Sequence, residues 1–139
     1  MLLVPKRWKH RKQFRWRIKW KSKGNTYVAF GDYGIKALDN GYVTSRQIEA
    51  ARKVLVRYNR KVGKIWIRIF TDIPYTKIWL EMPMGKGKGW VEYYRARVKR
   101  WTIIMEMSWV PKEVAYEAFK KAGYKFGMKT KAVARWEIN

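Results

Sequence analysis

Cysteine is absent from the 139 residues. That excludes disulfides, thiol nucleophiles and cysteine-ligated zinc. Histidine is nearly absent: His10 stands alone, inside a basic run. A lone imidazole among cations makes a poor metal ligand or general base, so neither a metal nor a cofactor is expected. Acid is scarce as well, with ten Asp and Glu and none before Asp32. They are scattered, and the nearest pair, Glu113 and Glu117, shares a helix face without an evident partner. Poised acid–base chemistry therefore has no visible seat, and neither an enzyme nor a small-molecule substrate is expected. No apolar run approaches the roughly 18 residues of a transmembrane helix. The start, MLLVPKRWKH, lacks the apolar stretch of a secretory signal.

What is present is positive charge on a chain that can fold. Lys and Arg number 33, the formal net charge is +23 and 47% of residues are hydrophobic. One domain-sized chain with a real core and so large an excess calls for a polyanionic partner. The basic, acid-poor N-terminus superficially suits a mitochondrial transit peptide, but Pro5 and weak helical periodicity argue against that.

Residues 1–24 carry ten Lys and Arg. Lys6, Arg7, Lys9, Arg11, Lys12, Arg15 and Arg17 are interleaved with Trp8, Phe14, Trp16 and Trp20. A solvated arm rarely keeps several tryptophans in water. Rings among cations suit an arm that neutralises phosphates while its aromatics pack on bases or on the domain. We read 1–24 as a basic aromatic RNA-binding arm and 25–139 as one domain. A cationic membrane-binding domain has a similar composition, but no clean amphipathic stripe supports it.

Glycines at 24, 31, 34 and 41 punctuate short strands and turns. TSRQIEAARKVLVRYNRKVGK, from Thr44, reads as a helix. Thr44 is the N-cap, Gln47 completes a capping box and Gly63 is the expected C′ residue. Ile48, Ala51, Leu55, Tyr58 and Val62 form its apolar face. Arg46, Lys53, Arg57 and Arg60 form a purely basic stripe, with Glu49 a possible partner of Lys53. Solubilising faces usually mix signs, so the stripe is a candidate for RNA or DNA backbone contact.

KIWIRIF (64–70) alternates as a strand, and Arg68 between two aromatics reads either as a phosphate contact or as a solvent-side residue. Asp72 and Pro74 mark a turn before a strand over 75–82. VEYYRARV and IIMEM read as a hairpin joined by a turn at 99–102. A second helix runs from about Pro111 to Gly123, and KTKAVARW closes the chain as a strand. Two helices among mostly hairpin-connected strands predict an α+β two-layer domain with a mostly antiparallel sheet.

MGKGKGW (84–90) is neither GxxxxGK[ST] nor GxGxxG, because Trp90 stands where Ser, Thr or Gly is required. A hairpin turn needs one or two glycines, not three spaced by lysines. Gly85, Gly87 and Gly89 allow close backbone approach and Lys86 and Lys88 neutralise phosphate, so the loop reads as inserting into RNA.

In order along nearly the whole chain come P-K-R at 5–7, F-G at 30–31, G-I-K-A at 34–37, T-S-R-Q-I-E-A-A-R at 44–52, G-K-I-W-I-R-I-F at 63–70, M-G-K-G-K-G with V-E-Y at 84–93, E-A-F-K at 117–120 and K-T-K at 129–131. Together these resemble the bacterial-type large-subunit ribosomal protein sixteen family. The resemblance implies a structural, non-catalytic α+β domain on large-subunit rRNA near the base of the central protuberance. It also implies neighbouring ribosomal proteins, and acceptor-site tRNA close to the glycine loop. The family usually carries Arg at the position of Pro83, and it is usually small or polar over 14–24, where this chain has tryptophans. The aromatic content suggests an organelle's ribosome. Residue 1 aligns with the family's own start, which suggests synthesis where the protein works: an organelle-encoded mitochondrial protein, or a bacterial one. The alternative function is a free-standing RNA-binding or ribosome-assembly factor.

Overall fold

Apolar residues recur along the chain with periods of two and of three to four, and the elements follow those periods. The computed structural model describes residues 3–15, 17–59 and 61–137. Arg60 and Trp16 therefore lie outside the described residues. The order is β1 (Tyr33–Ala37), β2 (Gly41–Thr44), α1 (Ser45–Asn59), β3 (Ile65–Ile67), β4 (Ile73–Lys77), β5 (Trp90–Val98), β6 (Ile103–Met107), α2 (Lys112–Gly123) and β7 (Thr130–Ala134). This is the expected α+β architecture with antiparallel strands, but the strands form two sheets, β3-β6-β1-β7 and β2-β5-β4.

Helix α1 begins as its sequence requires. The Thr44 N–H donates to Gln47 Oε1 at 2.9 Å and the Gln47 N–H donates to Thr44 Oγ1 at 3.2 Å, a reciprocal capping box. Ile48, Ala51 and Leu55 are fully buried, the two larger side chains stabilising the fold by about 1.5–3 kcal/mol each. The other end corrects the sequence reading. The helix stops at Asn59, Lys61 takes the left-handed turn at φ 67°, and Val62 is 67% exposed. Gly63 is not a C′ residue. It lies where the chain passes so close to Asn59 and the Ser108 carbonyl that a Cβ would collide with both.

Three strand expectations also change. KIWIRIF is regular only over Ile65–Ile67. The strand expected over 75–82 is β4, ending at Lys77, and it contains Pro74. Proline is tolerated there because β4 is a sheet edge. VEYYRARV and IIMEM do not pair with each other. Strand β5 lies between β2 and β4, whereas β6 lies between β3 and β1. At the connection Trp101 adopts φ 74° and its N–H donates to the Ala37 carbonyl at 2.6 Å, steering the chain into the other sheet.

Every residue of β1 and β6 is buried, because the large sheet is covered on both faces. The helices pack on Ile35, Met105 and Met107. On the other face Val28 packs against Ile103 and Val133, and Gly34 is glycine because a Cβ would stand 2.9 Å from Val28. The same face carries Glu106, wholly removed from solvent. Its carboxylate accepts the N–H groups of Ala29 (3.0 Å), Phe30 (2.7 Å) and Gly31 (2.8 Å), and pairs with Arg68 at 2.5 Å. Burial pushes its pKa up, but these four donors outweigh burial and hold it below the ordinary glutamate value. One carboxylate thus fastens residues 29–31 over the sheet.

Candidate nucleic-acid interface

Alternation along β5 decides which groups the small sheet presents. Successive side chains point to opposite faces, so Ala96 and Val98 turn into the core while Tyr93, Arg95 and Arg97 share the opposite face. Register brings Tyr42 opposite Arg97 and Tyr75 opposite Tyr93. Tyr75 and Tyr93 stack with centroids 4.7 Å apart. Sequence reasoning missed this aromatic and cationic face, although the period-two pattern of Tyr93, Arg95 and Arg97 carried the signal.

The N-terminal arm packs onto the small sheet. Trp8 stacks on Tyr94 at 5.3 Å with planes 8° apart. Arg15 reaches the Tyr75 hydroxyl at 3.4 Å and its guanidinium lies 5.3 Å from that ring. Asn40 holds the Ile18 carbonyl at 3.4 Å, and Lys21 forms a bridge with Arg100. Phe14 and Trp20 remain 85% and 82% exposed. Lys6, Arg7, Lys9, Arg11, Lys12, Arg15 and Arg17 are exposed, so the arm lays a cationic strip over the sheet.

The glycine loop spans 78–89 between paired β4 and β5. It carries Leu80 and Met84 almost wholly exposed, with Lys86 at φ 63° and Gly87 at φ 111°. At Gly89 a Cβ would stand 2.5 Å from the Lys77 carbonyl, so that glycine closes the hairpin. Gly85 and Gly87 have open space around them. The arm grips the loop near its base: Lys12 donates to the Lys88 carbonyl at 2.8 Å, and Lys88 donates to the Gln13 carbonyl and lies over the Phe14 ring.

On α1, Arg46, Lys53 and Arg57 are exposed as one basic stripe. Glu49 bonds Arg52 at 2.5 Å, three residues on rather than the four that would reach Lys53. Its pKa is lowered to about 2, first through that hydrogen bond. Arg68 departs from both sequence readings. It is neither a simple solvent-side residue nor an open cation, because it serves Glu106 and lies over the Phe30 ring at 4.8 Å. Among the described residues no group of three or more His, Asp or Glu gathers to hold a metal, and no helix is long and apolar enough to cross a membrane.

Fold and surface together define a class: a small α+β domain whose exposed cations and rings far outnumber its carboxylates, the surface chemistry of a nucleic-acid binder. Comparison with known proteins makes the assignment specific. Residues 5–133 match the family described as ribosomal protein L16p/L10e, and the chain belongs to that family. It is 53% identical over 134 residues to large ribosomal subunit protein uL16 of Thermus thermophilus, covering 96% of this chain and 95% of that protein. The uL16 of Erythrobacter litoralis is 49% identical over 135 residues, covering 97% and 94%. That of Staphylococcus epidermidis is 48% identical over 137 residues, covering 99% and 95%. These relatives are bacterial and lend no support to the mitochondrial expectation.

Proposed function

We propose that the protein is a structural constituent of the large ribosomal subunit. It binds large-subunit rRNA near the base of the central protuberance, beside neighbouring ribosomal proteins, and helps position acceptor-site tRNA. The observation that carries this reading is family membership over 129 of 139 residues (133 − 5 + 1), and the cationic arm, stripe and loop are its physical counterpart. The mechanism is charge neutralisation and shape fit. Lys6, Arg7, Lys9, Arg11, Lys12, Arg15 and Arg17 on the arm, with Arg46, Lys53 and Arg57 on α1 and Arg60 next after it in sequence, meet phosphates. Lys86, on a backbone freed by Gly85 and Gly87, reaches inward, while Lys88, beside Gly89 at the root of the loop, meets phosphate there. Arg68 supports the fold through Glu106 and is left out of this set. The compartment we favour is the bacterial one of the relatives; two of the nine tryptophans, Trp8 on Tyr94 and Trp66 on Phe30, have packing roles.

Sedimentation of a lysate through a high-salt sucrose gradient tests the assignment. Comigration with large subunits at one copy each is expected, and a free or membrane-bound protein refutes it. If about ten phosphates are neutralised, affinity for RNA falls by up to about nine decades per decade of salt. Lys86→Ala with Lys88→Ala should assemble yet weaken acceptor-site tRNA binding. Lost assembly with normal tRNA binding in surviving subunits contradicts that division of roles.

A further inference from the structure

We propose that Arg95, Arg15 and Lys88 form a clamp for a single RNA backbone phosphate, built where arm, small sheet and glycine loop meet. The proposal rests on the RNA-binding reading above and assigns it a particular site. The Arg95 guanidinium carbon lies 3.8 Å from the Tyr42 ring centroid and 4.7 Å from that of Tyr75. Two rings so close hold the cation on its π faces. The N–H groups of a guanidinium lie in its plane, which is the geometry that meets phosphate oxygens in pairs. The Arg95 Nε is buried and has no hydrogen-bond partner among the described residues. A buried, unsatisfied donor on a charged group is costly, and an incoming acceptor relieves that cost.

Arg95 lines a small pocket together with Arg15 and Lys88. Among the described residues no carboxylate lines it, so three cationic residues line one opening without an acidic one among them. Its volume is about 30 Å³, room for about two water-sized groups. That suits the two non-bridging oxygens of a phosphodiester and excludes a nucleobase. The three cations come from segments far apart in sequence: Arg15 from the arm, Lys88 from the loop and Arg95 from β5. A phosphate seated there therefore ties the arm to the base of the glycine loop, adding to the bonds of Lys12 to the Lys88 carbonyl and of Lys88 to the Gln13 carbonyl.

The test is phosphate-ethylation interference with the full chain and large-subunit rRNA. With the unaltered protein, ethylation at a discrete set of phosphates blocks binding. In Arg95→Gln one of those phosphates should become insensitive, and the slope of log affinity on log salt should fall by about 0.7–0.9. Arg95→Lys, which keeps the charge, should retain most of the slope and most of the interference at that phosphate. A folded Arg95→Gln protein with an unchanged interference set overturns the clamp. If that variant fails to fold, Arg15→Gln and Lys88→Gln decide: both losing interference at one shared phosphate supports the site, and losses at separate phosphates overturn it. Unaltered protein that binds this RNA without salt dependence refutes the RNA-binding reading itself, a result distinct from failure of the clamp alone.

Discussion

Glu106→Gln gives the strongest test of how the fold is held together. The carboxylate is fully buried, and each oxygen faces donors: Oε1 takes Ala29 and Arg68, Oε2 takes Phe30 and Gly31. An amide offers one oxygen and one NH2 group. Whichever way it is turned, the NH2 meets N–H donors, and Arg68 is left beside a neutral group. Removing one partner of a buried ion pair costs about 3–5 kcal/mol. With an unfolding entropy of roughly 0.3 kcal/mol per kelvin for a chain of this length, Tm falls by about 10–17 °C. Circular dichroism melts at pH 7 and low salt read this directly, and limited proteolysis should show residues 25–31 opened first. The pH dependence adds a second readout. The folded pKa of Glu106 is held below its unfolded value, so its stabilisation is present above the unfolded pKa, near 4.3. That stabilisation is lost as pH falls through the lower folded pKa. The Tm difference between wild type and Glu106→Gln should therefore shrink on acidification through that window. A Tm loss under about 3 °C at pH 7, or a difference that stays constant from pH 7 to pH 2, refutes the account of Glu106 as the fastening of residues 29–31.

Three further outcomes follow from local geometry. Thr44→Ala removes one half of the capping box and should cost about 1 kcal/mol, read from urea midpoints with an unchanged m-value. Gly89→Ala places a methyl 2.5 Å from the Lys77 carbonyl and should cost about 1–3 kcal/mol by overpacking, whereas Gly85→Ala, in open space, should stay within about 0.5 kcal/mol of wild type; equal effects of the two contradict this reading of the loop. Gly31→Ala brings a Cβ within 2.7 Å of the Met107 carbonyl, so it should both destabilise the fold and weaken protection of the Glu106-bound amides in hydrogen exchange.

Local signals were legible in the sequence and long-range pairing was not. The capping box of Thr44 and Gln47, the buried face Ile48, Ala51 and Leu55, and helix α2 follow from spacing within one element. The end of α1 was misread because Gly63 offers the usual stop signal. In the fold its lack of a Cβ serves a close approach to Asn59 and Ser108 instead, a contact between segments 45 residues apart (108 − 63). VEYYRARV and IIMEM both read as strands, and a short link made a hairpin the natural expectation. Alternation says which side chains share a face but not which strand lies alongside. Glu106 shows the limit most clearly. Its backbone donors are 75 to 77 residues away in sequence and Arg68 is 38 away, so in a strand reading it was one polar residue among apolar ones, and Arg68 across the sheet had no visible partner. The cationic surface was legible in composition, but its aromatic floor of Tyr42, Tyr75 and Tyr93 needed the pairing of β2, β5 and β4 to come together.

The glycine loop joins these strands of reasoning. Of its three glycines, Gly89 is required by the Lys77 carbonyl and Gly87 by its φ of 111°. Gly85 meets no atom within 4 Å and has no positive φ, so nothing among the described residues demands glycine there. The two lysines differ in the same way. Lys88 is bound to the arm through the Gln13 carbonyl and Phe14, which places it at the root of the loop, while Lys86 stands farther out between Gly85 and Gly87. The chain thus divides the loop into a root fixed by the protein's own contacts and a tip whose composition the fold leaves undetermined. A glycine and a lysine that the fold does not use belong to whatever the tip meets. On the proposed reading that neighbour is RNA, whose bases would meet the exposed Leu80 and Met84 and whose phosphates would meet Lys86.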